Sequence, residues 1–188
     1  MFPTNACLAL ASALLLSLQP ASAQPATGDQ DIQVDVQKNG AELTVRVDCP
    51  VKAPAALVWE VLTDYDHMAG FVTNLEVSNV VTRDGDRLQV FQKGRASRGL
   101  LSFAFENLRE IHLVPFTEIR SHLIRGNMQT SEFTTRVVDD GTQVHILNIG
   151  RFVPNVWVPP LIGPSAIEAE TRKQFDEIRA EILRRNAR

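Results

Sequence analysis

Residues 165–182 read SAIEAETRKQFDEIRAEI, and Ile167, Thr171, Phe175, Ile178 and Ile182 recur in it at i, i+4, i+8, i+11 and i+15. That spacing marks one face of an α-helix of three to four turns or longer. The opposite face, with Glu168, Arg172, Lys173, Asp176, Glu177, Arg179 and Arg184, is charged throughout. Ser165 followed by Glu168 has the form of a capping box and predicts the helix start. Such a helix must bury its apolar stripe against something. What precedes it is almost entirely strand.

Upstream, Leu75–Thr82 meets Leu88–Ala96 through Arg83-Asp84-Gly85-Asp86, a glycine-containing hairpin connection. Leu101, Phe103 and Phe105 then alternate with Ser102, Ala104 and Glu106. Pro115 separates that run from Phe116–Arg125, and Gly126-Asn127 separates the next from Met128–Val138. Asp139-Asp140-Gly141 turns into Thr142–Phe152. Turn residues at about ten-residue spacing predict an antiparallel meander, counted as five strands. Before it, Ile32, Val34 and Val36 face Leu43, Val45 and Val47 across Asn39-Gly40, the strongest short hairpin signal. Pro54 opens a short helix carrying Leu57, Val58, Trp59, Val61 and Leu62, and Asp64–His67 with Gly70 interrupts it. A second short helix is expected before Phe71. The order is α+β, and the simplest closure is a curved antiparallel sheet wrapped around the long C-terminal helix.

The chain has 188 residues, 44% of them hydrophobic, with 19 Lys/Arg against 22 Asp/Glu. That length suits one domain. A near-neutral, mixed-sign balance gives no clustered positive charge for nucleic acid. Leu8–Leu18 is an apolar run too short to span a bilayer, which takes about 20 apolar residues. Ala21-Ser22-Ala23 follows it as a small-residue cleavage site. The pattern predicts a secretory signal peptide over residues 1–23, a flexible lead-in over 24–30 and one domain over 31–188, placed in the periplasm or secreted. Cleavage removes Cys7 and leaves Cys49 as the only thiol, so burial in a strand is its expected fate.

The segment Val51-Lys52-Ala53-Pro54, Val58-Trp59-Glu60-Val61-Leu62-Thr63-Asp64-Tyr65 and Phe71-Val72-Thr73-Asn74-Leu75 resembles the opening of START-like (SRPBCC) domains. Within them it is most similar to the polyketide cyclase/dehydrase and lipid-transport family, including coenzyme-Q-binding START-type proteins. The Asp140-Gly141-Thr142 turn and the ending Glu181-Ile182-Leu183-Arg184-Arg185 agree with it. The resemblance implies a helix-grip fold enclosing an apolar cavity for a lipid, quinone, sterol or polyketide. Thr73 stands where many relatives have proline, which predicts a less rigid loop before Leu75. The strand Ile32–Val36 precedes the usual first strand and extends the sheet edge.

No catalytic signature occurs: G-x-S-x-G, G-x-G-x-x-G, H-E-x-x-H and C-x-x-C are all missing. His67, His112, His122 and His145 lack metal-ligand spacing, so neither a metal nor a cofactor is expected. Glu106, Arg109, Glu118, Arg120, Glu132 and Arg136 sit mid-strand and read as cross-strand pairs on a wet face. If any turns inward to grip a headgroup, Arg120 or Arg136 is the choice. The apolar set gives the ligand-binding candidates. Phe103, Phe105, Phe133, Ile146 and Phe152 on strands are expected to face Phe175 on the helix, with Tyr65, Phe71, Trp157 and Leu161 from loops at the open end. Residues 154–164, with four prolines and Trp157, Val158, Leu161 and Ile162, read as an apolar lip or lid that touches a membrane surface transiently. The function expected is an exported binder of a hydrophobic small molecule. Two alternatives stand beside it. One is a cyclase- or dehydratase-type enzyme using Asp64, Tyr65, His122 and His145. The other is an interaction module docking through the charged helix face or the edge strand.

Overall fold

The computed structural model describes residues 31–98, 101–155 and 163–188, with the backbone alone for 96–98 and 101–103. The predicted signal peptide, the lead-in and the heart of the proline-rich lip lie outside the described residues. The first hairpin joins β1 (Gln33–Asn39) to β2 (Glu42–Val51). Asn39 pairs with Glu42, so the loop is Gly40-Ala41. Gly40 takes φ 59°, which glycine adopts without a steric penalty.

Next come α1 (Ala55–Thr63) and a single 3-10 turn at Met68–Gly70. Pro54 caps α1 from outside, its carbonyl accepting from the N–H groups of Leu57 at 2.9 Å and Val58 at 3.1 Å. Six strands follow: β3 (Leu75–Asp84), β4 (Arg87–Arg98), β5 (Leu101–Val114), β6 (Glu118–Gly126), β7 (Met128–Asp139) and β8 (Val144–Pro154). The six runs read from the sequence, already divided at Pro115, all form strands, one more than the five counted there. Phe116, expected to begin the run after Pro115, sits instead in the turn before β6 at φ 60°, and its exposed ring lies 5.8 Å from that of Trp59. A bulky residue held there costs about 1–3 kcal/mol.

The strands form one antiparallel sheet in the order β1-β2-β8-β7-β6-β5-β4-β3. Register shifts between Leu75/Val77 and Val80/Thr82 on β3, at Leu108/Arg109 on β5 and between Met128/Thr130 on β7 bend it. The long helix α2 (Gly163–Asn186) touches β1 and β2 at one edge and β4 near the other. Only a sheet curled around the helix can meet it on both sides, which is the helix-grip arrangement. α2 begins at Gly163, so Ser165 lies inside its first turn and not at its cap, and Glu168 pairs with Arg172 at 3.2 Å.

Phe175, Ile178 and Ile182 of α2 are buried, against Val45, Val47, Cys49 and Val51 of β2 and Val58, Val61 and Leu62 of α1. Burying each such aliphatic side chain is worth about 1.5–3 kcal/mol. Cys49 is a fully buried core residue, its thiol 4.0 Å from the Phe175 carbonyl oxygen.

Candidate ligand-binding site

Strand register decides which side chains face the helix. Cys49 is inward, and it pairs with Ile146, which pairs with Val137. Following the partners across the sheet puts Phe152, Gly150 and Asn148 of β8 inward, with Ser131, Phe133 and Thr135 of β7. Ser121 of β6 pairs with Phe133, and on β5 the inward set is Phe105, Asn107, Arg109, Ile111 and Leu113.

This inner face is graded. At the end capped by α1, Val51, Val144, Ile146, Val137, Ile119 and Ile111 form a dry core. At the other end, Phe105, Phe133 and Phe152 point inward yet are only half-buried. Phe133 and Phe152 stack with ring centroids 6.1 Å apart. Gly150 makes room for this pair: a Cβ there would lie 2.0 Å from the Phe133 ring.

Between the two ends lies a polar waist. Arg109 is 8% exposed. Its Nε donates to Ser121 Oγ at 2.6 Å and its NH1 to Ser131 Oγ at 2.9 Å. NH2 reaches the carbonyls of Ser121 and Ser131, both at 3.4 Å. The guanidinium lies over Phe133, 5.1 Å from the ring centroid. Beside it, Asn148 donates to Thr135 Oγ1 at 2.7 Å. Among the described residues no carboxylate pairs with Arg109. Burial pulls its pKa down to about 10. The nearest electrostatic partner is Tyr65, from the loop after α1, also 8% exposed. Burial pushes the Tyr65 phenol well above its usual pKa, so it stays neutral and supplies no counter-charge.

The expected headgroup residues are corrected by these positions. Arg120 and Arg136 face outward and clasp Glu118, at 2.5 Å and 2.7 Å. The inward arginine is Arg109. Its signal was in the sequence: Phe105, Arg109, Ile111 and Leu113 share one parity with three plainly apolar members, and that parity places Arg109 among them. Of the ligand-binding candidates, Ile146 and Phe175 are buried in the core, and Phe105, Phe133 and Phe152 line the half-open end. Phe71 is half-buried under Arg185, whose guanidinium carbon is 5.8 Å from its ring centroid. The Phe103 side chain, Trp157 and Leu161 lie outside the described residues.

The enzyme candidates are mostly spoken for. Asp64 accepts from Arg185 at 2.8 Å and pairs with His67 at 2.6 Å. Burial works against its charge, yet those bonds hold its pKa below the ordinary value. His122 is exposed on the outer face, 3.8 Å from Glu110. His145 lies between Asp48 at 2.7 Å and Asp140 at 3.3 Å, outside the interior. Only Tyr65 of the four points in. Among the described residues no group of His, Cys, Asp and Glu could hold a metal ion, and no helix is long and apolar enough to cross a membrane.

A curved antiparallel sheet gripping a C-terminal helix, apolar within and banded by one polar waist, defines a START-like domain. The chain belongs to the polyketide cyclase / dehydrase and lipid transport family, whose model matches residues 51–159. Among solved structures it is similar to a STAR-related lipid transfer protein from Xanthomonas axonopodis, with TM-score 0.67 and 14% identity, covering 86% of this chain and 97% of that one. It is also similar to the Zhui aromatase/cyclase from Streptomyces sp. R1128, with TM-score 0.63 and 17% identity, covering 77% and 95%. A ginseng major latex-like protein from Panax ginseng gives TM-score 0.60 at 12% identity, covering 77% and 99%. At these identities the likeness is one of fold. No curated protein matches the chain.

Proposed function

We propose that this protein is an exported carrier that holds a hydrophobic small molecule (a lipid, a quinone or a polyketide-like compound) between its sheet and its C-terminal helix. The observation that carries this reading is the row of inward but half-buried aromatics, Phe105, Phe133 and Phe152. An inner face with no ligand to receive would bury such rings fully, since each contributes a large share of core energy. The family match supports the reading, and so does the similarity to a lipid transfer protein. Export rests on the apolar run Leu8–Leu18 followed by Ala21-Ser22-Ala23. A carrier in the periplasm would meet membrane surfaces transiently as it loads and unloads. A cyclase reading has less to stand on, because Asp64, His122 and His145 are engaged away from the interior.

Native mass spectrometry of the protein purified gently from its own cell envelope tests the proposal. The expected result is an adduct of a few hundred daltons, released by organic solvent and identifiable by its own mass. A clean ligand-free mass, together with no binding of fluorescent fatty acids or quinones, overturns it. N-terminal sequencing of the mature protein tests export: a start at Gln24 is expected, and retention of Met1 refutes it.

A further inference from the structure

The side of α2 turned away from the sheet carries a second periodic pattern, which the carrier reading leaves unused. Ala166, Ala169, Lys173, Asp176, Ala180 and Leu183 recur there at alternating spacings of three and four. That is the a/d seam of a coiled coil, the pattern by which one helix packs along another. Lys173, Asp176 and Ala180 are exposed, and so is Leu183. Ala169, Lys173, Asp176 and Ala180 also line a groove of about 680 Å³ along the helix. The inner stripe of Phe175, Ile178 and Ile182 is buried in the core, so the seam is a separate face of the same helix. Its two charges are opposite in sign and sit at its centre.

We infer that this seam is the interface of a two-fold dimer, in which α2 packs antiparallel against α2 of a second copy. The occupant follows from self-complementarity. With the two-fold axis level with Gln174 and Phe175, Lys173 faces the partner's Asp176, and Asp176 faces the partner's Lys173. The same register sets Ala169 against the partner's Ala180, and Ala166 against the partner's Leu183. Every contact is repeated by the symmetry, as an isologous interface requires. Alanine layers let the two axes approach to about 8 Å, the short end of ordinary helix packing. A parallel pairing would set Lys173 against the partner's Lys173. A register shifted by one heptad would leave both charges opposite alanine or leucine. The central pair can turn towards its partner: Lys173 holds Glu177 loosely, at 3.8 Å, and Asp176 takes Arg179 on one oxygen, Oδ1, at 2.9 Å. Arg172 and Arg179 flank the seam, and pairing with Glu168 and Asp176 of their own helix limits their repulsion across the axis. The dimer does not involve the interior, so it stands or falls apart from the carrier reading.

Sedimentation velocity of the full chain across a wide concentration range is the first measurement. A reversible monomer–dimer equilibrium is expected, and a monomer throughout overturns the proposal. Ala180→Glu puts bulk and charge into an alanine layer and is expected to weaken the dimer. Lys93→Glu, exposed on β4, is the control and leaves it unchanged. A mixing experiment carries the most weight. Lys173→Glu sets acid against acid in both central layers of its own dimer, and Asp176→Lys sets base against base. Each alone is expected to dimerise at least about 10-fold more weakly than the unaltered chain. Mixed together they restore opposite charges in both layers, and native mass spectrometry should find the heterodimer in excess over either homodimer. Repair within one helix cannot give that result, since neither chain carries both changes. Circular dichroism checks that each variant keeps its fold, and Ala180→Glu still decides should one of the charge variants lose it. Single-variant dimers as tight as the unaltered one, no preference for the heterodimer, or a dimer indifferent to Ala180→Glu overturns the seam.

Discussion

Glu177 on α2 accepts two hydrogen bonds from Thr73, from its backbone N–H at 2.9 Å and its hydroxyl at 2.6 Å. The neighbouring Asn74 donates to Glu170 at 3.1 Å, about two turns earlier on the same helix. The loop expected to be slack for want of a proline is therefore tied to the helix at two points. A proline at position 73 would remove the donor on which the first tie depends.

Thr73→Val is expected to lose one hydrogen bond, about 1 kcal/mol, and Thr73→Pro both. For a domain of this size that means a melting temperature about 2–4 °C lower for the valine variant and a larger drop for proline. Hydrogen exchange supplies the local readout: the Thr73 amide should be slow in the unaltered protein and fast in Glu177→Ala. Equal exchange in both would show that the tie does not hold the loop.

Two glycines on the inner face make a paired prediction. A Cβ at Gly150 would collide with the Phe133 ring, at 2.0 Å, whereas a Cβ at Gly94 would meet the backbone oxygen of Asn74 at 2.0 Å, with the Phe105 ring at 2.7 Å. Side chains can be cut away and backbone cannot. Gly150→Ala should therefore cost about 1–3 kcal/mol, and most of it should return in the Phe133→Ala background. Gly94→Ala should stay costly in the Phe105→Ala background. Double-mutant cycles by urea unfolding check both, and rescue at Gly94 would contradict the backbone contact.

The same glycines show where the sequence stopped being informative. Period-two alternation and the stripe on α2 locate strands and helix because they record a local periodicity, and the sheet-around-helix closure follows from burying that stripe. The Arg109 parity was equally local and could have been used. Gly150 lying under Phe133, or Glu177 reaching Thr73, depends on register across strands and on the helix's rotation in the grip. Those are set by the summed packing of the whole core and leave no periodic trace. Phe116 is the opposite case: a β-former after Pro115 is locally a strand residue, but the chain needs a turn there and holds it at φ 60° against Trp59.

His145 should make the protein less stable as the solution turns alkaline. Its hydrogen bond to Asp48, with that charge and then Asp140, raises its pKa above the ordinary 6.5 despite partial burial. A raised folded-state pKa gives stability that is fully present below 6.5 and lost as pH rises through the folded value. Urea midpoints should fall across that window, and the fall should shrink in Asp48→Asn. His67, paired with Asp64, shifts in the same direction, so part of the slope will remain. An NMR titration placing His145 at or below 6.5 would refute the assignment.

The acid limb should depend on Glu181. On α2 it accepts from Arg184 Nε and NH2, both at 2.6 Å, and from Arg185 Nε at 2.7 Å. Arg185 in turn holds Asp64 at the end of α1, so this carboxylate anchors the link between the helices. The Arg184 bonds lead in lowering its pKa, burial opposes them, and the result is about 2. A depressed pKa gives stability that is present above the unfolded value near 4.5 and lost as pH falls towards 2. Glu118, clasped by Arg136 and Arg120, adds to the same limb. Glu181→Gln should therefore be less stable than the unaltered protein at neutral pH, and the two should converge as pH approaches 2. If the gap between their unfolding free energies stays constant from pH 5 to pH 2, Glu181 contributes through packing and not through its charge.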